Sequence, residues 1–290
     1  MKLIFPLLGC YLSSLSLLCG QVTVELVLED EYFLQGESIL VGVRITNLSG
    51  QTLDLGKDKD WLTFSVEARD NFIVPMLDEV PVLGQFSVES TTAATKKVDI
   101  TPCFQLTTPG RYTVTARIKI PQWQQELSTK SKPFVISSVR KLWEQEFGVP
   151  DSTGANAPPE VRKYALQQAM HLKEKKLYVR VTDALENKIF RVFPVGPVVG
   201  PTRPEPQLDK FGNLHLLFQT GARAFNYSVI NPEGQILVRQ THEYTAGSRP
   251  ALKPDQEGNI RVVGGARRIT ANDLPPHKST PADDVKETSH

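Results

Sequence analysis

Hydrophobic and polar residues alternate with a period of two along much of the chain from residue 22 onward. The clearest runs lie at residues 22–28, 39–45 and 112–120. Because successive side chains of a β-strand point to opposite faces, each run predicts a strand with one face in a core. Shorter runs of similar character, separated by Gly, Pro, Asn and Asp, lie at 62–66, 72–76, 85–89, 98–106 and 133–137. About seven to nine strands in roughly 115 residues predict an antiparallel β-sandwich at 21–138.

Two motifs in this segment carry a resemblance to a known fold. The sequence Phe-Leu-Gln-Gly-Glu-Ser-Ile at 33–39 leads into a strand, and Pro109-Gly110-Arg111 precedes Tyr112. The segment resembles the immunoglobulin-like domains of exported bacterial proteins, in which the first motif opens the second strand. Tyr112 resembles the tyrosine corner of such sandwiches. The resemblance implies a fold and no particular activity.

The region after the sandwich predicts a linker at 139–160. Leu142, Trp143 and Phe147 fit one side of a short helix, and the composition of 151–159 is typical of a loop. Residues 161–172 suit either a helix or a strand. We favour a strand that pairs with 176–181.

A weak internal repeat follows. Asp209 with Gly212-Asn213 and Asp255 with Gly258-Asn259 are each preceded by Arg-Pro, at one constant offset. The repeat resembles the blades of β-propeller proteins, where such a turn leads into a strand. We therefore predict a second antiparallel β domain of blade-like repeats at 161–268. It holds about two blades, whereas closed propellers use about four or more.

The two ends of the chain give different predictions. Lys2 followed by an apolar, Leu/Ser-rich run to Leu18 predicts a secretory signal peptide at 1–20. Cleavage before Gln21 is favoured, and lipidation at Cys19 is the alternative. Membrane contact is expected only if Cys19 is lipidated. The chain would then be exported to the periplasm, the cell surface or the medium. The polar tail at 269–290 has the composition of a disordered segment.

Charge and motifs exclude several classes of function. The chain has 33 Lys+Arg against 32 Asp+Glu, a net charge of +1, which does not favour nucleic acid as a partner. Its five His residues have no metal-ligand spacing, and no nucleophile elbow or phosphate-binding glycine motif is present. We predict no catalytic residue, metal site or cofactor. Cys103, without a partner in the mature chain, is predicted to be a small buried apolar residue.

These observations predict a non-enzymatic exported envelope or surface protein that acts as a structural or protein-binding module. Its partner would be an envelope protein or a glycan. The alternatives are a secreted glycan-binding or hydrolase-accessory protein, with aromatic rings as a sugar platform, and an enzyme whose site has no sequence signature. Blade-like units leave sheet edges that must be covered. The face bearing His215, Phe225 and Tyr227 is the candidate partner surface, unless it packs on Trp143 and Phe147.

Overall fold

The computed structural model describes residues 22–149, 160–200 and 202–274, and over these residues the chain is all-β. Its strands form several mostly antiparallel sheets, as the sequence predicts. Within the described ranges no α-helix occurs, and so no helix there is long and apolar enough to cross a membrane. The predicted signal peptide at 1–20 and the predicted loop at 151–159 lie outside the described residues.

The first part of the chain forms two main sheets around one core. The strands are β1 (Val22–Leu28), β2 (Tyr32–Phe33), β3 (Leu40–Asn47), β4 (Leu53–Leu55), β5 (Leu62–Glu67), β6 (Phe86–Val88), β7 (Thr92–Asp99), β8 (Gly110–Ile120), β9 (Gln125–Ser128) and β10 (Lys132–Ile136). Sheet I has the order β1-β3-β7, and sheet II has the order β2-β10-β8-β5, with β9 paired to the far end of β8. Strands β4 and β6 pair with each other.

Buried and exposed side chains alternate along β8, so that one face of this strand lies in the core of the sandwich. Tyr112, Val114 and Ile118 are buried, while Arg117 and Lys119 between and beside them are exposed. The buried side chains contact those of sheet I in a single apolar cluster. Tyr112 also donates a hydrogen bond from its hydroxyl to the carbonyl of Thr108, at 2.6 Å. This bond back to the preceding turn is the contact expected of a tyrosine corner.

Two strand predictions in the sandwich are wrong in part. Residues 98–106 are not one strand, because β7 ends at Asp99 and a 3₁₀ turn covers Thr101–Cys103. The Asp99 carboxylate accepts the N–H of Thr101 and so stabilises the turn. Residues 72–76 form only isolated bridges, to Glu67 and Phe104, and no regular strand. Cys103 is a free, buried cysteine, which confirms that prediction.

The second part of the chain forms two larger sheets and a hairpin. The strands are β11 (Arg140–Val149), β12 (Glu160–His171), β13 (Glu174–Asp183), β14 (Ile189–Pro197), β15 (Glu205–Leu208), β16 (Leu214–Gln219), β17 (Ala224–Ile230), β18 (Ile236–Glu243), β19 (Ala251–Pro254), β20 (Ile260–Val263) and β21 (Ala266–Arg268). Sheet III has the order β11-β12-β13-β14, and sheet IV has the order β15-β16-β17-β18-β21. Strands β19 and β20 pair in what we call the terminal hairpin.

The short helix predicted in the linker is wrong, because β11 occupies its place and pairs with β12. A register shift between Lys141 and Trp143 marks a β-bulge. The bulge lets the adjacent Leu142 and Trp143 both pack on the same cluster as Phe147, a spacing that imitates a helix face. Sheet III therefore begins at Arg140, inside the predicted linker.

Two other predictions for this region have clear outcomes. The strand favoured at 161–172 is confirmed, since β12 pairs antiparallel with β13 along its length. Part of the predicted disordered tail is hydrogen-bonded: the Leu274 N–H donates to the Arg239 carbonyl, and Thr270 donates to Asp273. Residues 269–274 thus pack beside β18, and residues 275–290 lie outside the described residues.

Sheets III and IV and the terminal hairpin form three stacked layers. Tyr164, Leu166 and Val179 of sheet III share one cluster with Leu216 and Phe218 of sheet IV. The opposite face of sheet IV packs against the terminal hairpin in a second cluster. Each layer is therefore stabilised by apolar contact with the next, rather than by a common central core.

The sandwich docks on the outer face of sheet III through the segment between β1 and β3, a long loop that includes the short strand β2. Leu34 packs with Ala169, Tyr178 and Val192 in a small buried cluster. One guanidinium N–H of Arg180 donates to the Gln35 carbonyl at 3.0 Å. At the edge of this contact, His171 Nε2 lies 2.7 Å from the Asp30 carboxylate. The two parts of the chain are thus joined by both apolar and polar contacts.

Glu37 makes the stability of this loop depend on pH. Burial raises the pKa of Glu37 from 4.5 to about 7, against the opposing hydrogen bond from the Leu34 N–H, and the charge of Asp30 adds to the rise. The folded chain therefore holds this proton more tightly than the unfolded chain does. The stabilising contribution of protonated Glu37 to the free energy of unfolding is fully present below about pH 4.5 and is lost as the pH rises to about 7.

We expect Glu37→Gln to remove this pH dependence. The variant should match the wild type below about pH 4.5 and exceed it at pH 8 by roughly 2 to 3 kcal/mol in free energy of unfolding, because the amide carries no buried charge. Urea unfolding across this pH range checks the expectation. Glu31→Gln, at an exposed position of the same loop, is the control and should leave the profile unchanged. A constant difference between the Glu37 variant and the wild type at all pH values would contradict it.

Candidate functional site

The structure brings the three predicted surface residues together on one face of sheet IV. His215 lies on β16, and Phe225 and Tyr227 lie on β17, with exposed fractions of 8%, 3% and 8%. Leu252 and Ile260 of the terminal hairpin cover this face. This corrects the prediction, since the three side chains do not form an exposed surface. The alternative of packing on Trp143 and Phe147 is also wrong, because those rings lie in the cluster on the opposite face of sheet IV.

Hydrogen bonds join His215 and Tyr227 to an acidic residue that the sequence had not placed with them. His215 Nδ1 lies 2.8 Å from the Tyr227 hydroxyl, and His215 Nε2 lies 3.2 Å from Asp209 Oδ2. With a neutral imidazole, Nε2–H donates to the carboxylate, and Nδ1 accepts a hydrogen bond from the Tyr227 hydroxyl. We call these three residues the buried triad.

The charges of the buried triad are those of a structural network. Burial lowers the pKa of His215, and the Asp209 carboxylate only partly opposes this. Burial acts to raise the pKa of Asp209, but hydrogen bonds from Asn213, His215 and the chain outweigh it and leave the pKa lowered. Burial raises the pKa of Tyr227 to about 12. At neutral pH the triad is therefore an ionised carboxylate, a neutral imidazole and a protonated phenol, with no activated nucleophile.

The turn that positions Asp209 is the first copy of the predicted repeat. Asp209 Oδ1 accepts the N–H groups of Phe211 and Asn213, each at 2.9 Å, and Gly212 adopts φ 77°. That positive φ favours glycine. The carboxylate thus fixes the turn with Oδ1, while Oδ2 accepts hydrogen bonds from both the Asn213 side chain and His215.

The second copy has the same local geometry. Asp255 Oδ1 accepts the N–H groups of Glu257 and Asn259 at 3.0 and 2.8 Å, and Gly258 adopts φ 80°. In this copy the second carboxylate oxygen pairs with the exposed Arg261. No histidine is involved, so the bond to His215 is specific to the first copy.

A second histidine lies beside Tyr227 and was not assigned a role from the sequence. The ring of His242 meets that of Tyr227 edge-on, with centroids 6.2 Å apart. Its Nε2 is buried and forms no hydrogen bond with any described residue. Burial and the nearby Arg267 lower the pKa of His242, which keeps the ring neutral. Within the described ranges, no group of three potential metal-ligating side chains occurs here or elsewhere.

The six aromatic residues considered as a sugar platform do not form one: Trp61, Trp123, Trp143, Phe225, Tyr227 and Tyr244. Of these six, only Tyr244 is exposed. Trp61 is almost fully buried, and its indole N–H donates to the Val82 carbonyl. Trp123 and Trp143 pack against two different clusters, and Phe225 and Tyr227 are covered. These rings therefore present no common exposed face for a glycan.

A different surface, on the sandwich, exposes large apolar side chains. They lie in the segment that follows the 3₁₀ turn Arg69–Asn71, and each is more than half exposed. We call them the apolar ridge: Phe72, Ile73, Met76, Leu77 and Leu83. The segment is fixed on both sides, since the Val74 N–H donates to Val66 and the Gln105 N–H donates to Pro75. In the sequence this ridge has the appearance of a buried strand, so its exposure could not be predicted.

Beside the ridge lies a cleft of about 710 Å³, which we call the ridge cleft. Phe72, Val74, Pro75 and Tyr112 supply much of its apolar lining. A smaller cleft of about 480 Å³ adjoins it. The two share four lining residues: Ala68, Arg69, Arg111 and Tyr112.

Comparison with known proteins assigns no family. No family model matches the chain, and no curated protein matches it. Among solved structures, the chain has a similarity to Spo0M, a sporulation control protein from Bacillus subtilis, with 12% sequence identity and a TM-score of 0.30. The similarity covers 57% of this chain and 80% of that one.

Proposed function

We propose that the chain is a non-enzymatic exported protein that acts as a structural or protein-binding module of the cell envelope or surface. The observation that carries the proposal is the apolar ridge. Single exposed apolar residues are common on soluble proteins, whereas a group within one short segment is typical of an interaction site. Here all five residues lie between Phe72 and Leu83. A partner that covers them would remove apolar area from water.

The state of the buried triad supports a non-enzymatic role. His215 and Tyr227 are the residues whose chemistry best fits acid–base or nucleophilic work. The terminal hairpin covers both, and each is already hydrogen-bonded within the triad. Their contacts fasten β16 to β17 and to the preceding turn. The hydrogen bonds of the triad therefore give His215 and Tyr227 a structural role in the fold.

We further propose that the sandwich is immunoglobulin-like and that the second part consists of blade-like repeats. The Tyr112 hydroxyl bond to Thr108 supports the first assignment. The matching turns at Asp209 and Asp255, each leading into a strand, support the second. In this arrangement the sandwich caps one end of a stack of blades, and the terminal hairpin forms the other end.

Capture from an envelope extract of the producing cell tests the proposed function. The full chain is compared with the double variant Ile73→Ser/Leu77→Ser and with the control Leu185→Ser/Ile269→Ser, whose residues lie elsewhere and are even more exposed. We expect the wild type and the control to recover the same proteins, and the ridge variant to recover about tenfold less, since exposed apolar anchors dominate such interfaces.

Two outcomes would overturn the proposed function. One is equal recovery by all three proteins, which would show that the ridge contacts no partner. The other is turnover of a substrate that Ala replacements at His215 and His242 abolish.

Amino-terminal sequencing of the native protein tests export separately. We expect the native chain to start near Gln21. An intact Met1 on protein from the cytoplasm would refute export. A lipidated Cys19 at the start of the chain would change only the assigned type of signal peptide.

A further inference from the structure

Strand β8 has an unpaired edge on the side of β5. The pairing of β5 with β8 ends at Glu67 and Thr113, because the chain then leaves the sheet in the 3₁₀ turn Arg69–Asn71. Asp70 and Asn71 have positive φ values of 62° and 59°, which turn the chain away from β8. Strand β8 itself continues back to Gly110 and pairs there with β10 on its other side. Among the described strands, none pairs with Gly110–Tyr112 on the β5 side.

The ridge cleft lies along this edge. Gly110, Arg111 and Tyr112 line it, opposite Phe72 and Pro75. Its volume is within the range of ligand-binding clefts, and the adjoining smaller cleft extends it past Arg111 to Thr113. The site therefore combines an open strand edge with an apolar wall.

The charge at the cleft is positive and unpaired. Arg69 and Arg111 are the charged residues that line the ridge cleft, and Glu67 lines only the smaller one. Within the described part of the chain, neither guanidinium forms a hydrogen bond or an ion pair, although most other arginines do. Two unpaired arginines at one cleft are complementary to a carboxylate.

We propose that the ridge cleft binds an extended, acidic and apolar peptide segment of a protein partner, which adds as a strand to β8 at Gly110–Tyr112. Its carboxylate lies between Arg69 and Arg111, and an apolar side chain packs on Phe72 and Pro75. Strand addition supplies backbone hydrogen bonds, and the side-chain contacts supply selectivity. This inference rests on the protein-binding function proposed above and names the ligand class for it.

A peptide fits the open edge better than a fatty acid does. Either ligand offers an apolar chain and a carboxylate, but an alkyl chain has no groups that can pair with the strand. The polar backbone groups at the cleft would then be covered without partners, at a cost in free energy. The peptide satisfies them in the antiparallel or parallel pattern of a sheet.

Binding of defined peptides to the full chain tests the inference. The probes are short synthetic peptides of alternating Val and Glu, and matched peptides in which Lys replaces Glu, with binding followed by fluorescence anisotropy. We expect the acidic peptides to bind and the basic ones to bind at least about tenfold more weakly. Arg69→Gln/Arg111→Gln should remove this preference, and Arg44→Gln/Arg140→Gln, at exposed positions elsewhere, should keep it.

The position of binding is measured separately by amide chemical shifts. The acidic peptide should shift Gly110, Arg111 and Tyr112 more than the rest of the chain. Equal binding of the two peptide classes, or shifts confined to other strands, would overturn the inference. Dodecanoate that competes with the peptide and depends equally on both arginines would also overturn it, in favour of an amphiphile site.

The test separates this inference from the function it rests on. Ile73 and Leu77 belong to the ridge and do not line the cleft, whereas the two arginines line the cleft. If Ile73→Ser/Leu77→Ser loses the envelope partner while Arg69→Gln/Arg111→Gln keeps it and binds both peptides alike, the proposed function stands and the peptide site fails. If no variant alters recovery, the proposed function fails as well.

Discussion

Val114→Asp is expected to unfold the sandwich. Val114 has no exposed surface and pairs with Val66 on one side and Lys132 on the other, in the middle of sheet II. Its side chain points into the core between the two main sheets. A carboxylate there would lose its water and find no described cation in the cluster around it. The expected cost is about 5 kcal/mol or more, comparable to the whole stability of a domain.

Circular dichroism and urea unfolding of the full chain measure this effect. Thr63→Asp is the matched control, because Thr63 lies on β5 of the same sheet with its side chain on the solvent face. The control should change the free energy of unfolding by less than about 1 kcal/mol. If Val114→Asp had the urea midpoint of the control, the assignment of β8 faces would be wrong.

The alternation of apolar residues predicts strands best where one face of a sheet is buried. It places β1, β3 and β8 correctly, because in each strand the inward positions carry apolar residues. It fails at 72–76, where all five residues are apolar and only Val74 is buried. Periodicity records which residues share a face and cannot record whether another layer covers that face. The apolar ridge is the consequence of this limit.

Strand β11 shows a second limit. Leu142, Trp143 and Phe147 have a spacing that belongs to a helix if the backbone is regular. The bulge near Lys141 breaks the regular alternation, and all three side chains pack on sheet III's cluster from a strand. Only pairing with β12 identifies this irregularity. The single segment carries no signal for it.

The buried triad was partly accessible from the sequence. The Asp-x-x-Gly-Asn turn indicates that Asp209 precedes a strand, and His215 lies on that strand. The bond between Asp209 and His215 also involves the turn, since the carboxylate oxygen that His215 contacts accepts the side-chain N–H of Asn213 as well. The cover over His215 and Tyr227 comes from Leu252 and Ile260, which are distant in sequence. Contact between such layers could not be derived from local pattern.

Replacing Tyr164 is expected to separate the stacked layers of the second part. Tyr164 is completely buried, and its ring stacks on Phe147 with centroids 4.4 Å apart. Its hydroxyl lies 3.2 Å from the carbonyls of Gly212 and Ile230, so this residue of sheet III also bonds to the turn before β16 and to the end of β17. Burial raises the pKa of Tyr164, so the hydroxyl remains a donor.

Two variants divide the contribution of Tyr164 into its ring and its hydroxyl. Tyr164→Phe removes the hydroxyl hydrogen that the carbonyls of Gly212 and Ile230 share, and should cost about 1 to 3 kcal/mol in free energy of unfolding. Tyr164→Ala also leaves a cavity beside Phe147 and should cost about 4 to 5 kcal/mol. Tyr244→Ala, at a largely exposed position, is the control, with an expected change below about 1 kcal/mol. Thermal unfolding of the full chain ranks the three. A cost for the Phe variant equal to that of the Ala variant would show that the contribution of Tyr164 comes from its hydroxyl bonds to Gly212 and Ile230, and not from the packing of its ring.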